Sequence, residues 1–340
     1  MTALEALVGA RPLAVLMKSI DLLDGHCRHL LRCAPFAVLG ACDPAGRARA
    51  IPVGGAAGFA EALDEHHLRL QLPEPLALDL TVGCSLVFLV PGLGETLRIN
   101  GRASLDGLHL TLRVEEAFVH CAKSILRSSL WSASAPTAPI VPLPSVAGSP
   151  LSEPALRTFL AASPFVVLTS WDATGAADAS PKGDPRGFLR VDADGRLLVP
   201  DRPGNRRTDT FHNLLEQPRV ALLALSPGDE RAAELTGRAS LTSAPELLAE
   251  MAVEGKTPKL ALRLELDAAK LFDSPAVRDA RLWDPARHVP RSALPRIADV
   301  FIDHVKQNKQ RGLAATAVRT LASKTMMRVG LEHDYEKNRY

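Results

Sequence analysis

The chain has 340 residues, enough for two domains and a substantial core. A hydrophobic share of 46% beside 23% charged residues is that of a folded globular protein and excludes a disordered chain. The net charge of +2 singles out no polyanionic partner and argues against nucleic acid, and no uncharged apolar run is long enough to span a bilayer. With no basic, hydrophobic leader at the N-terminus, a cytoplasmic location is expected. The five cysteines (Cys27, Cys33, Cys42, Cys84, Cys121) lie early in the chain, are odd in number and form no CxxC pair. Reduced, mostly buried thiols are expected, and no metal site.

In chain order, the dominant feature is a tandem repeat. HCRHLLRCAPFAVLGACDPAGRARAIPVGG (26–55) parallels ALRTFLAASPFVVLTSWDATGAADASPKGD (155–184) at a constant offset of 129, pairing Arg28 with Arg157, Phe36 with Phe165, Asp43 with Asp172 and Gly46 with Gly175. Further on the offset is 136, and Gly101-Arg-Ala-Ser-Leu105 recurs unchanged as Gly237-Arg-Ala-Ser-Leu241. Leu112-Arg-Val-Glu115 parallels Leu262-Arg-Leu-Glu265, and Trp131 parallels Trp283.

Each unit opens on a short amphipathic helix, with Leu30 and Leu31 or Phe159 and Leu160 inward. β-rich runs follow, among them Phe165 to Trp171, Ala177 to Pro181, Leu86 to Val90 and Val220 to Leu225, separated by Gly and Pro turns. The spacing predicts helix, strand, turn, strand, strand, helix, strand, strand, strand in each unit. Short strands with few, small helices point to a mainly β barrel and away from a layered α/β fold.

Residues 1–131 and 151–285 are thus expected to form two barrels. Ser132 to Pro150, with five prolines, reads as an extended linker. From Ala286 onward the chain changes character, with 11 Lys/Arg against 5 Asp/Glu. Leu294, Ile297, Ala298, Phe301 and Val305 predict one helix, Gly312 a stop, and Leu313 to Val329 a second helix. Such an extension packs one apolar face on the barrel, lies over an anionic ligand, or binds nucleic acid weakly.

One stretch carries chemistry on its face. In Pro200-Asp201-Arg202-Pro203-Gly204-Asn205-Arg206-Arg207, Gly204 and two prolines fix a tight path, and adjacent arginines offer forked donors to phosphate oxygens. A helix starting near Thr208 or Asp209 turns its free amides to the same spot. No Ser/His/Asp triad, carboxylate pair or metal-ligand cluster at usable spacing accompanies it.

SPFVVLTSWDATGAADASPKGDPRGFLRV with LLVPDRPGNRRTDTFHNLLEQPRVALLAL resembles the pyridoxamine 5'-phosphate oxidase-like FMN-binding split-barrel family, in its small bacterial branch. LDGHCRHLLRCAPFAVLGACDPAG, FLVPGLGETLRINGRASL and VEEAFVHCAKSILRSSLW resemble the same branch in the first half. The resemblance covers residues 22–131 and 155–285. It implies two six-stranded split barrels packed as an intrachain pseudo-dimer, with FMN at their interface and contacted from both sides.

The halves depart from the pattern in complementary ways. The second unit keeps Ser180-Pro-Lys-Gly-Asp184 and Asn205-Arg-Arg207, but has Ala268-Ala-Lys-Leu-Phe-Asp273 where the first has Phe118-Val-His-Cys-Ala-Lys123. The first has Ile51-Pro-Val-Gly-Gly55 in place of SPKGD, and its QLPEPLALDLT stretch lacks seven residues, the cradle among them. One composite site is therefore expected, with a monomer or a homodimer as the assembly.

At that site the resemblance assigns Asn205, Arg206 and Arg207 to the phosphate, with Arg202 as a possible helper, and Lys182 to the flavin ring. Ser180 and Asp184 are assigned to ribityl or ring edges. Lys123, Arg127 and Trp131 close the site from the first unit, with His120 and Cys121 as weaker candidates. The function expected is an FMN-dependent oxidoreductase acting on a small molecule. The alternatives are a non-catalytic flavin or deazaflavin protein, and a haem-binding or haem-degrading barrel with His288, His304 or His333 as ligand.

Overall fold

A computed structural model describes residues 5, 9–132, 139–204 and 207–337. A short helix, α1 (Leu13–Met17), and α2 (Gly25–Cys33) precede the first sheet. Asp24 caps α2 by accepting from the Cys27 amide, which satisfies one of its free N–H groups. The sheet comprises β1 (Phe36–Cys42), β2 (Ala48–Gly54), β3 (Ala60–Ala62), β4 (His67–Gln71), β5 (Cys84–Leu89), β6 (Thr96–Asp106) and β7 (His109–His120), and α3 (Lys123–Ser128) follows it.

The second unit repeats this plan with α4 (Pro154–Ala162), β8 (Phe165–Trp171), β9 (Ala177–Gly183), β10 (Arg190–Val191), β11 (Leu197–Pro200), α5 (Asp209–Glu216), β12 (Arg219–Leu225), β13 (Arg231–Thr242), α6 (Pro245–Ala249), β14 (Ala261–Asp273) and α7 (Pro275–Ala280). The first sheet runs β2-β1-β5-β6-β7-β4-β3, and the second, read from β9, runs β9-β8-β12-β13-β14-β11-β10. All pairs are antiparallel and the strands correspond one to one. Each sheet therefore has seven strands, where six were expected. The first unit has no counterpart of α5, because the seven deleted residues fall there.

The repeated glycines have a physical cause. Cys84 pairs with Gly101 and Val220 with Gly237, and each glycine borders a β-bulge in the long hairpin. A Cβ on Gly101 would stand 2.0 Å from the Arg113 carbonyl oxygen, and one on Gly237 would stand 2.1 Å from that of Glu265. Only glycine admits the crossing strand there.

Two cores fill the barrels and a third joins them. Ala37, Leu39 and Ala41 face the first barrel, and Val166 and Leu168 face the second. The alternate residues Phe36, Val38, Phe165, Val167 and Trp171 meet in a shared core with Val87, Leu223 and Trp283. β1 and β8 are thus buried on both faces, which is why they read as unbroken apolar runs. α3 packs on β9 and α7 on β2, an internal pseudo-two-fold arrangement. Both helices end on a left-handed residue, Ser129 and Arg281.

After the repeat come α8 (Ile297–Gln307), α9 (Leu313–Leu321) and α10 (Lys324–Lys337). α8 inserts Ile297 and Val300 into the first core, while Val305 meets Met17 and Ala315. The single helix expected from Leu313 to Val329 is two, broken at Ala322 and Ser323. Among the described residues no helix is long and apolar enough to cross a membrane. The expected linker lies partly outside the described residues, and beyond them Leu143 is buried in the second core.

Candidate functional site

The site is assembled where α3 of the first unit lies on β9 of the second. Gly183 permits this contact, since a Cβ there would fall 2.0 Å from the Ser124 carbonyl oxygen. The close approach brings Lys123 and Arg127 over the strand that carries Ser180 and Lys182. Beneath them opens a cleft of about 580 Å³, within the range of small-molecule and cofactor sites. Lys123, Ser124, Arg127, His120 and Cys121 line it from one side. Ser180 to Asp184, Phe188, Pro200 to Gly204, Arg207, Phe211 and Lys256 to Lys259 line it from the other.

The loop after β11 is held across the interface. Arg127 donates through Nη2 to the Pro203 carbonyl. Arg202 donates through Nε to Asp184 Oδ2 at 2.7 Å and through Nη2 to the Met251 carbonyl at 2.7 Å. Asp184 and Arg202 are both almost fully buried, so their pairing neutralises two charges and fixes the start of the loop. Asp184 thus gives Oδ2 to an ion pair while it also lines the cleft, where a ribityl or ring contact was expected of it. Lys182 Nζ is 3.4 Å from Asp201 Oδ1 and 5.5 Å from the centre of the Phe211 ring. Burial pushes the Asp201 carboxyl up, against the pull of Lys182.

Arg207 lines the cleft, but its fork is taken up by two residues of the first unit and by Asp209 of its own. Nη2 donates to Glu116 Oε1 at 2.6 Å, Nε to Asp209 Oδ2 at 2.7 Å and Nη1 to Ser19 Oγ at 2.6 Å. Its guanidinium lies 3.8 Å from the centre of the Phe118 ring. Burial works against this charge, yet Glu116 and Asp209 hold it protonated well above the ordinary arginine range. Arg207, which the sequence assigned to phosphate, therefore also ties the units together. Asn205 and Arg206, assigned to the same phosphate, lie outside the described residues.

Trp131 stands outside the cleft. Its Nε1 donates to the Leu93 carbonyl at 2.5 Å, its ring meets His288 edge-on, and it packs against the shared core. Burial, followed by Arg98, Lys18 and Arg207, drives the His120 imidazole well below its usual range, so it is neutral. Arg98 Nη1 stands 3.4 Å from His120 Nδ1, an arrangement that puts the imidazole proton on Nε2.

Sequence reasoning overlooked the charged layer under the cleft. Arg98 pairs with Asp178 across the units, and Phe118 takes Arg98 and Arg207 over its ring. The repeat held the signal: with the two offsets, Arg98 aligns with Glu234 and Asp178 with Arg49, a reversal of charge at both positions.

Asp24, Cys27 and His304 converge elsewhere, with donor atoms within 4.8 Å of one another. His304 places Nδ1 3.1 Å from the Lys18 carbonyl and Nε2 3.3 Å from Asp24 Oδ2, while Asp24 Oδ1 caps α2. The two ring nitrogens thereby fasten α8 to the end of α1 and to the start of α2.

Residues 152–273 match the family model described as pyridoxamine 5'-phosphate oxidase. The second unit is a pyridoxamine 5'-phosphate oxidase-like split barrel. The first unit lies outside that match but repeats its strand order, pairing and bulge, as a tandem duplication requires. Among solved structures similar to this chain is HutZ, a heme storage protein from Vibrio cholerae, at 18% identity over 36% of this chain and 93% of that one, TM-score 0.28. General stress protein 26 from Bacillus anthracis shares 16% identity over 35% and 92%, TM-score 0.29. A putative pyridoxamine 5'-phosphate oxidase from Lactobacillus delbrueckii shares 18% over 31% and 83%, TM-score 0.25. No curated protein sequence matches the chain.

Proposed function

We propose that the cleft between the two split barrels binds FMN, one molecule per chain, and that the protein is an FMN-dependent oxidoreductase acting on a small molecule. The observation that carries this reading is the composite wall of the cleft. Lys123 and Arg127 from one unit face Ser180, Lys182 and the loop of residues 200–204 from the other.

The residues present suit a planar, anionic cofactor. Lys123, Arg127 and Lys182 supply cationic donors for phosphate and for an electron-rich ring edge. Phe188, Phe211, Pro181 and Pro258 supply apolar wall. Bound FMN contributes the hydride and electron chemistry. The protein orients and excludes water: Arg127 holds the loop through Pro203, Asp201 and Phe211 hold the Lys182 ammonium, and neutral His120 offers a hydrogen bond without adding charge.

Titration of the purified protein with FMN, followed by flavin fluorescence, tests the reading. Lys123→Ala and Lys182→Ala each remove a charge-assisted contact and are expected to weaken binding by about tenfold or more. No uptake of FMN, or unchanged affinity in both variants, overturns it. Substrate-dependent bleaching of the flavin band separates an enzyme from a carrier.

A further inference from the structure

The C-terminal extension reaches back to the cleft. Lys123 Nζ donates to Asp334 Oδ1 at 2.9 Å, and Asp334 is one of the residues lining the cleft. One residue on, the Tyr335 hydroxyl accepts from the Ala122 amide at 3.3 Å and lies beside the buried Glu95 carboxyl. Leu331 of the same helix packs on the first core. Thus α10 is moored by Tyr335 beside the start of α3, and its carboxylate meets a lysine that is itself only 5% exposed.

From this geometry we infer that Asp334 is a specificity-determining residue of the site, a built-in anion that competes for Lys123 with the anionic group of any ligand in the cleft. The inference rests on the proposed function for the identity of the ligand, but not for the contact itself. A phosphate or carboxylate that reaches Lys123 must displace the Asp334 carboxylate, so affinity for charged ligands is held down while that for uncharged ones is untouched. Tyr335 sets the geometry: with its hydroxyl held by the Ala122 amide, Asp334 lies within reach of Lys123. The ligand class favoured is one whose anion outcompetes a single carboxylate, as a phosphate monoester carrying close to two charges does.

Two measurements on the full-length protein test this. Without ligand, acylation of Lys123 by a water-soluble active ester is read by mass spectrometry. Asp334→Asn is expected to raise its rate about tenfold, and Asp334→Glu to return it toward wild type. An unchanged rate in Asp334→Asn overturns the inference, whatever the cofactor. With ligand, Asp334→Asn is expected to bind FMN about tenfold more tightly while the affinity for riboflavin, which lacks the phosphate, stays the same. Equal gains for both flavins, or none for FMN, also overturn it. Failure of wild type and variant alike to bind either flavin counts against the proposed function, and the acylation rates then decide the inference alone.

Discussion

Arg98 of the first sheet reaches across to Asp178 of the second, and its repeat mate Glu234 reaches back to Arg49, the repeat mate of Asp178, with every charge reversed. Arg49 Nε and Nη2 meet the two Glu234 oxygens at 2.8 and 3.0 Å, and the Ala50 amide adds a third donor. Two copies of the first unit paired in this way would set Arg98 against Arg49, and two copies of the second would set Glu234 against Asp178. The swap makes each unit complementary to the other and not to itself.

Replacing Arg98 with Ala leaves Asp178 buried without its cation. A loss of about 3–5 kcal/mol is expected, read by urea unfolding. The paired exchange Arg98→Asp with Asp178→Arg restores the charge complement and is expected to recover a large part of it. Full additivity of the two single losses would show that the residues do not interact.

Gly183→Ala forces a methyl group against the Ser124 carbonyl oxygen and must push α3 away from β9. It is expected to cost about 1–3 kcal/mol and to weaken FMN binding, because Lys123 and Arg127 ride on that helix. A variant of unchanged stability and affinity would contradict the role given to this contact.

Arg207 now has a testable identity of its own. If it ties Glu116 and Asp209 together, Arg207→Ala lowers stability by about 2–3 kcal/mol in the absence of any flavin. A residue serving only phosphate would leave the unliganded protein as stable as wild type.

Lys18 gives a pH signature. Burial, followed by Arg207, lowers its ammonium to about 7, and its Nζ donates to the Val119 carbonyl at 2.8 Å beside the rings of Phe118 and Phe301. Arg98 and Glu116 complete the surrounding charges. Between about pH 7 and the ordinary lysine range the unfolded chain binds the extra proton, so stability rises with pH across that window. Below it both states are protonated and the full penalty of burying the charge remains. Lys18→Met is expected to stabilise the protein at neutral pH and to remove this slope in urea titrations; an identical slope in the variant would locate its cause elsewhere.

The repeat made the architecture legible in the sequence, because Phe36 to Cys42 and Phe165 to Trp171 carry one pattern for one buried position. The composite cleft was legible too, since each half lacks what the other holds, and Lys123, Arg127, Ser180 and Lys182 do meet in it. What was hidden is which cations are already spent. Arg207 is claimed by Glu116 from 91 residues away and Asp184 by Arg202, pairings that only the packed sheets create. The Asp334 contact spans 211 residues and comes from a tail outside the repeat, where no internal copy offers a comparison.

If two units share one site, the chain holds one flavin, and the stoichiometry is measurable. Equilibrium titration of the full-length protein with FMN is predicted to saturate at one per chain, with binding weakened both by Lys123→Ala in the first unit and by Lys182→Ala in the second. Saturation at two per chain, or sensitivity to only one of these residues, would contradict it.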